Sequence, residues 1–166
     1  NGVSKSHAMT GWRLGYAGGP QWLIAAMQIL QSQSTSNPSA ISQAAAVAAL
    51  NHSAGFLEDW LHTLDKRRQQ VLGMIAATEG LSAGIPQGAF YVFANCQQLI
   101  GRVTPTGEPL RDDSGLANWL LEHTQVAVLH GSAFGMPGYL RIAYAVEDGL
   151  LTQACQRIAE ACAQLR

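Results

Sequence analysis

The chain has 166 residues, of which 48% are hydrophobic and only 13% are charged, and its formal net charge is −1 at pH 7. The length suffices for one ordinary domain with a buried core, and the near-zero charge argues against a general nucleic-acid or anionic-membrane partner. Because charged residues usually make up roughly 25% of a domain, we expect other protein to cover part of what looks like surface.

Cysteine and histidine give no indication of a metal or redox site. Cys96, Cys155 and Cys162 form no CxxC pair, and none of the five histidines has metal-ligand spacing with another His or Cys. We therefore expect no metal, and we expect Cys155 and Cys162 to pack in a core. The odd cysteine count is typical of a reducing cytoplasm, and the residues after Asn1 show no targeting signal.

The first candidate site lies in residues 4–16, which read S-K-S-H-A-M-T-G-W-R-L-G-Y. Lys5 supplies an amine that can form an imine with an aldehyde. Arg13 supplies a planar, permanently charged fork that suits a phosphate dianion. Eight residues of straight strand span roughly 26 Å, so one small molecule can reach both side chains only if the chain doubles back. Gly11 permits such a turn, and we expect it at residues 9–11.

The region from Leu14 to Leu57 contains no Lys, Arg, Asp or Glu, which indicates burial on several sides. Its longest uninterrupted apolar run is far shorter than the roughly 20 residues of a membrane span. Asn37 and Pro38 are a favourable N-cap and N1 pair for a helix. The predicted elements are a short strand over residues 13–18, a helix over 21–31 and a helix over 38–51.

A long amphipathic helix is predicted over residues 55–78. Its apolar positions recur at helical spacing, and the basic residues 66–68 are expected to form a solvated outer face. The apolar stripe consists of Phe56, Trp60, Leu64, Val71, Leu72 and Ile75.

From residue 81 onward the pattern predicts a smaller α+β unit. Asp112 or Asp113 can cap a helix that runs to about Glu122, and we expect the preceding loop, residues 101–114, to be mobile. A closing helix is predicted over residues 146–165, packed through Leu150, Leu151, Ala154, Ile158 and Leu165. Strands or turns are predicted at residues 86–93, 126–129, 131–135 and 139–145.

The second candidate site is Arg141. Along residues 139–145, Leu140, Ile142 and Tyr144 alternate with Arg141, so the arginine points away from the apolar face of the strand. An arginine fork recognises a planar carboxylate. The alternative interpretation is an outward-facing arginine on an edge strand.

Residues 4–16 resemble, almost letter for letter, the lysine segment S-K-x-x-x-M-T-G-W-R-x-G-Y of class I/II (fold-type I) aminotransferases, which use pyridoxal 5′-phosphate (PLP). By this resemblance Lys5 is the catalytic lysine that forms the Schiff base with the cofactor, Arg13 binds its phosphate, and Arg141 binds the substrate α-carboxylate. Further stretches resemble the family's motifs, namely T-S-N-P-x-x-x-x-Q at 35–43, P-x-G-A-F-Y-x-F at 86–93, G-x-x-F-G at 131–135 and R-[IL]-x-[YF]-A at 141–145.

The resemblance implies an α/β fold that is the C-terminal part of a fold-type I PLP transferase. It implies that residues 1–53 belong to the large PLP-binding domain, residues 54–80 to an interdomain helix, and residues 81–166 to a small C-terminal α+β domain. It further implies amino-acid and 2-oxo-acid substrates and a homodimer. Complete members are more than twice as long and carry the partner of the cofactor's pyridine nitrogen upstream of the lysine, so we expect this chain alone to be nearly inert.

Three alternatives share these motifs. Lyases, decarboxylases and cyclopropane-forming synthases of the same fold keep both the lysine and the arginine, and some transcription regulators carry an aminotransferase-like sensor domain. An inactive remnant is the third, and the intact Lys5, Arg13 and Arg141 argue against it. One position departs from the pattern, because the aspartate/aromatic branch has an arginine where this chain has Ser32. A dicarboxylate substrate is therefore unsupported by this segment.

Overall fold

In the computed structural model, which describes residues 1–52 and 55–166, the chain divides into two units, Asn1–Leu61 and His62–Arg166. The expected boundary between residues 53 and 54 lies outside the described residues. The division into a large-domain part, an interdomain helix and a small domain therefore stays a prediction. Among the described residues, none of the helices combines the length and hydropathy required to span a bilayer.

The first unit is helical. It contains three complete helices, α1 (Val3–Ser6), α2 (Gln21–Gln33) and α3 (Ala40–Asn51). It also contains the beginning of α4 (Gly55–Ala77). The strand predicted over residues 13–18 is wrong. Residue 15 forms only an isolated antiparallel bridge with Gly2. Helix α1 begins at Val3, directly after Gly2, so the extended backbone available for pairing is too short for a strand.

Helix α3 begins later than predicted. Its N-cap is Ser39, whose side chain makes no capping hydrogen bond, so Asn37 and Pro38 are not the N-cap and N1 residues. The Gln43 side chain instead donates to the Pro38 carbonyl at 2.9 Å, and this bond satisfies a backbone group just ahead of the first turn. The end of the helix at Asn51 is as predicted.

The first unit buries little apolar surface of its own. Its core consists of Val3, Met9 and Ala46. Trp22, Leu30 and Ile41, on α2 and α3, are 73%, 73% and 74% exposed. These apolar surfaces agree with the low charge content of the chain, which predicted that other protein covers part of the surface.

The second unit is built on a three-stranded antiparallel sheet with the strand order β1-β3-β2. The strands are β1 (Tyr91–Asn95), β2 (Leu129–His130) and β3 (Tyr139–Ala143). The buried core contains side chains from one face of this sheet, such as Val92 and Leu140, and from helices α5 (Asp113–Thr124) and α6 (Asp148–Cys162). The alternation predicted for β3 is confirmed, since Leu140 and Ile142 are buried whereas Arg141 lies on the opposite face.

Several details of the second unit differ from the predictions. Strand β2 comprises Leu129–His130 rather than residues 126–129. The loop expected to be mobile is tied down by backbone bonds, including Gly101 N to Leu110 O at 2.7 Å and a bridge between Val103 and Pro109. The basic residues of α4 are not simply solvated, because Arg67 forms a 2.6 Å ion pair with Asp148.

The helix ends of this unit show which side chains cap and which pack. Asp112 is the N-cap of α5 and accepts a hydrogen bond from Gly115 N at 2.7 Å. Glu147 caps α6 in the same way. Leu150 is 61% exposed whereas Leu151 is 2% exposed, so the prediction that Leu150 packs in the core is wrong. Helical spacing from Leu151 selects a different face, which carries Cys155, Ile158 and Cys162 into the core.

Candidate active site

The segment that carries Lys5 and Arg13 doubles back, as predicted. A 3₁₀ turn over Thr10–Trp12 reverses the chain, and Arg13 follows it in the left-handed conformation with φ 50°. The two ends of the segment then meet, because Tyr16 N donates to Asn1 O at 2.9 Å beside the bridge between Gly2 and Gly15. Lys5 and Arg13 therefore lie on one closed loop of the first unit.

Both side chains of this loop are exposed. Lys5 lies on α1, whose buried residue is Val3, and Met9 is buried at the start of the turn. The Arg13 guanidinium donates from Nη1 to the Thr10 carbonyl at 2.9 Å. This bond uses one of the five N–H groups of the guanidinium. The donor set of an exposed primary amine and an exposed guanidinium on one closed loop matches an aldehyde and a phosphate carried by a single molecule.

His7, next to this lysine segment, has a packing role. Its Nδ1 lies 2.8 Å from Ser6 Oγ, and its ring meets Phe56 edge-on with the centroids 6.1 Å apart.

The hydroxyls at the end of α2 bind the helix backbone. Ser32 Oγ donates to Ile29 O at 2.8 Å, and Ser34 Oγ donates to Leu30 O at 2.9 Å. Ser32 therefore satisfies a carbonyl at the helix end and supplies no positive charge.

Arg141, in the second unit, contacts two aromatic rings. Its Cζ is 4.4 Å from the centroid of the Tyr91 ring and 4.1 Å from that of Phe134. A guanidinium over ring faces at these distances gains cation–π attraction. Phe93, the direct partner of Arg141 across β1 and β3, contacts Phe134 edge-on. We refer to Tyr91, Phe134 and Arg141 as the aromatic clamp.

The described residues provide no carboxylate as a counterion for the guanidinium of the aromatic clamp. Within the described residues, Arg141 forms no ion pair with a carboxylate, although it is half-buried. Contact with two rings restricts the motion of the guanidinium, whose N–H groups lie in its own plane. Such an arrangement suits an external carboxylate, which an arginine fork can bind through two parallel hydrogen bonds.

The rings of the clamp were not assigned a role from the sequence. Tyr91 lies in the P-x-G-A-F-Y-x-F stretch and Phe134 in the G-x-x-F-G stretch. The alternation along β1 places Tyr91 on the same face as Arg141 once the strand pairing is known. The strand pairing, rather than either motif, is therefore the signal that places Tyr91 beside Arg141.

Asp113 is a buried carboxylate beside the turn that carries Phe134. It is 2% exposed. It accepts hydrogen bonds from Ser132 Oγ at 2.6 Å, from Ser132 N at 2.8 Å and from Gly138 N at 3.2 Å. Burial alone would raise the pKa of Asp113, but these bonds outweigh it and hold the pKa below the ordinary value. The sequence suggested Asp113 only as a possible helix cap, and Asp112 performs that function.

The turn itself, Gly131–Phe134, requires glycine at its first position. A Cβ on Gly131 would lie 2.2 Å from Met136 O and 2.7 Å from the Tyr139 side chain. No side chain fits in that space. The turn closes with Gly135 in the left-handed conformation at φ 74°.

The three cysteines are core residues, as expected for Cys155 and Cys162. Burial raises the pKa of the Cys96 thiol to about 12 and that of Cys162 to about 11. Burial also raises the pKa of Cys155. Thiols in this state are poor nucleophiles near neutral pH.

Comparison with known proteins identifies the family. The sequence matches the model of aminotransferase class I and II over residues 1–158. An aspartate aminotransferase of Rhizobium meliloti (strain 1021) is 50% identical over 165 residues, and an aspartate/prephenate aminotransferase of Cereibacter sphaeroides is 46% identical over the same length. Both matches cover 99% of this chain but only 40% and 41% of the relatives.

Solved structures give the same result. The crystal structure of the aspartate aminotransferase from Rhizobium meliloti matches 100% of this chain and 42% of its own, with 49% identity and a TM-score of 0.93. An aromatic aminotransferase from Pyrococcus horikoshii matches 96% of this chain and 41% of its own, with 34% identity and a TM-score of 0.83. The expected α/β class, as part of a fold-type I transferase, is confirmed. This chain belongs to the class I and II aminotransferase family, whose members depend on PLP.

Proposed function

We propose that this chain is part of a PLP-dependent enzyme that transfers an amino group between an amino acid and a 2-oxo acid. The observation that carries the proposal is the closed loop of residues 4–16. It matches the family's lysine segment, and it folds so that Lys5 and Arg13 are both exposed on one loop. The chain spans about two fifths of the relatives' length, so the activity is assigned to the complete enzyme.

The loop would bind the cofactor through two of the cofactor's groups, its aldehyde and its phosphate. Lys5 would attach it through Nζ, and Arg13 would bind the phosphate as a permanently charged donor. PLP, when bound, withdraws electrons from the substrate Cα. The Lys5 Nζ would accept the proton from the substrate Cα as general base and would give it up again as general acid.

Arg141 would bind the substrate α-carboxylate. The rings of Tyr91 and Phe134 restrict its guanidinium, so less side-chain freedom is lost when the carboxylate binds. A carboxylate held by two parallel bonds fixes the orientation of the adjacent Cα–H bond, which the proton transfer requires.

The names of the relatives favour aspartate as an amino donor. Ser32 supplies no charge for a distal carboxylate, so that group would be bound by residues outside α2. By analogy with the family, we further propose that the complete enzyme is a cytoplasmic homodimer with the domain division expected from the sequence.

An activity assay tests this proposal. The complete enzyme, loaded with PLP, is incubated with aspartate and a panel of 2-oxo acids, and the amino-acid and oxo-acid products are quantified. Lys5→Ala should abolish transfer. Lys66→Ala is the matched control, because Lys66 is the other lysine of the chain and is also exposed, and this variant should retain transfer. Release of CO₂ or of an eliminated group instead of a new amino acid would contradict the proposal.

A further inference from the structure

Asp113 is a buried charge that the proposed chemistry does not use. It lies in the first turn of α5, and its three hydrogen bonds all leave that helix. Two of them come from Ser132 and the third from Gly138. Burying an ionised carboxylate is costly unless it is fully hydrogen-bonded, so this arrangement requires a specific geometry of the residues that donate.

The donors bracket the turn that carries Phe134. Ser132 lies two residues before Phe134, and Gly138 lies four residues after it. Gly138 also directly precedes β3, the strand that carries Arg141. A single carboxylate thus fixes the backbone on both sides of Phe134 and the entry to the strand of its cationic partner.

Phe134 depends on this anchoring because it is not held by burial. Its ring is 44% exposed, and its contacts are the edge of Phe93 and the guanidinium of Arg141. An exposed ring on a short turn keeps its position only as well as the backbone of that turn does.

We propose that Asp113 is a positioning residue for substrate recognition, which keeps Phe134 against the Arg141 guanidinium and so presets the carboxylate fork. The inference rests on the proposed function of Arg141. An ionised carboxylate suits this position because it only accepts hydrogen bonds, through two oxygens. An asparagine at this position would offer only one acceptor oxygen. Its NH₂ group would face the hydrogen-bond donors of Ser132 and Gly138, and two donors cannot bond to each other.

The test measures the affinity of the complete, PLP-loaded enzyme for maleate, a dicarboxylate that has no amino or oxo group to react. Asp113→Asn and Phe134→Leu are each expected to weaken maleate binding about tenfold, because the freed Arg141 side chain must then be ordered when maleate binds. Because Asp113 acts through Phe134, the double variant should bind maleate about as weakly as either single variant. Two independent effects would instead weaken binding about a hundredfold relative to the wild type. In turnover, KM for the amino acid should rise with kcat changed less than about threefold.

Three further variants separate positioning from general stability. Asp112→Ala removes the neighbouring cap of α5 and should lower the melting temperature without changing maleate affinity. Phe134→Tyr keeps the ring and should recover most of the maleate affinity that Phe134→Leu loses. Ser132→Ala removes only the hydroxyl bond to Asp113, so it gives a milder reading if Asp113→Asn does not fold, and it should weaken maleate binding by less than tenfold.

Unchanged maleate affinity in folded Asp113→Asn, or additive effects in the double variant, would overturn the inference. In the fallback case, wild-type maleate affinity in folded Ser132→Ala would overturn it. Wild-type enzyme that binds maleate but transfers no amino group would contradict the proposed function instead. The maleate affinities of the variants would then still decide the role of Asp113.

Discussion

Arg141 shows how one side chain combines two kinds of contact. Its guanidinium lies over the rings of Tyr91 and Phe134, and in the proposed function its N–H groups bind a carboxylate. Lysine retains the charge but offers neither a planar face nor a fork. The proposed role of Arg141 therefore requires arginine rather than lysine.

Arg141→Lys should raise KM for the amino acid by about 10- to 100-fold, the loss expected for a hydrogen bond to a charged group. Steady-state kinetics of the complete enzyme measures this. Arg111→Lys is the matched control, since Arg111 is exposed and lies outside the aromatic clamp. A wild-type KM in Arg141→Lys would show that the fork does not bind the substrate.

Asp113 predicts a pH dependence of stability. Its folded-state pKa lies below the ordinary value, so its contribution is present above the unfolded pKa of about 3.9 and is lost as pH falls through the folded pKa. Asp113→Asn should lower the free energy of unfolding by about 1–3 kcal/mol at pH 6. The difference from the wild type should shrink below about pH 4. Urea unfolding at both pH values measures it, and a difference that grows on acidification would refute this explanation.

At the scale of elements, the structure agrees with the sequence where side-chain periodicity runs long. Helix α4 ends at Ala77, one residue from its predicted end, and β3 alternates as predicted. The failures are local. Helix α3 starts late where Gln43 binds the Pro38 carbonyl, and the strand predicted over residues 13–18 lacks a partner strand. Short elements depend on single backbone partners, which a sequence pattern does not specify.

Helix α6 offers a test with adjacent residues. Leu151→Ala should lower the free energy of unfolding by about 2–5 kcal/mol, because it leaves a cavity in the core. Leu150→Ala should stay within about 0.5 kcal/mol of the wild type, because Leu150 is mostly exposed in this chain. Urea unfolding of the 166-residue chain compares the two. Equal losses would mean that α6 presents a different face to the core.

At the scale of the whole molecule, the two units differ in how much they bury. Among the described residues, the first has a small core around Val3, Met9 and Ala46 and exposed apolar faces on α2 and α3, whereas the second has an extended core around its sheet. This difference explains why a chain with few charges still shows apolar surface.

The difference predicts unequal protection from hydrogen exchange in the 166-residue chain. Amides of α2 and α3 should exchange faster than those of α5, α6 and β3, because few buried contacts oppose their opening. Mass spectrometry of peptides from each element measures the rates. Slower exchange in α2 than in β3 would contradict the account of the cores.

The candidate site was predictable to the extent that its residues lie in contiguous motifs. Lys5, Arg13 and Arg141 follow from such motifs, with the roles that the family resemblance implies. The clamp rings and Asp113 were not predicted, because their roles depend on strand register and on a turn meeting a helix end. Those contacts join residues such as Asp113 and Ser132, which are 19 positions apart.

The central claim is that Lys5 holds PLP. The most direct measurement is peptide mapping of the complete enzyme after incubation with PLP and borohydride, which makes an amine–aldehyde linkage permanent. We predict that the label lies on Lys5, with none on Lys66, and that Lys5→Ala abolishes it. A label on another lysine, or one that persists in Lys5→Ala, would contradict the account.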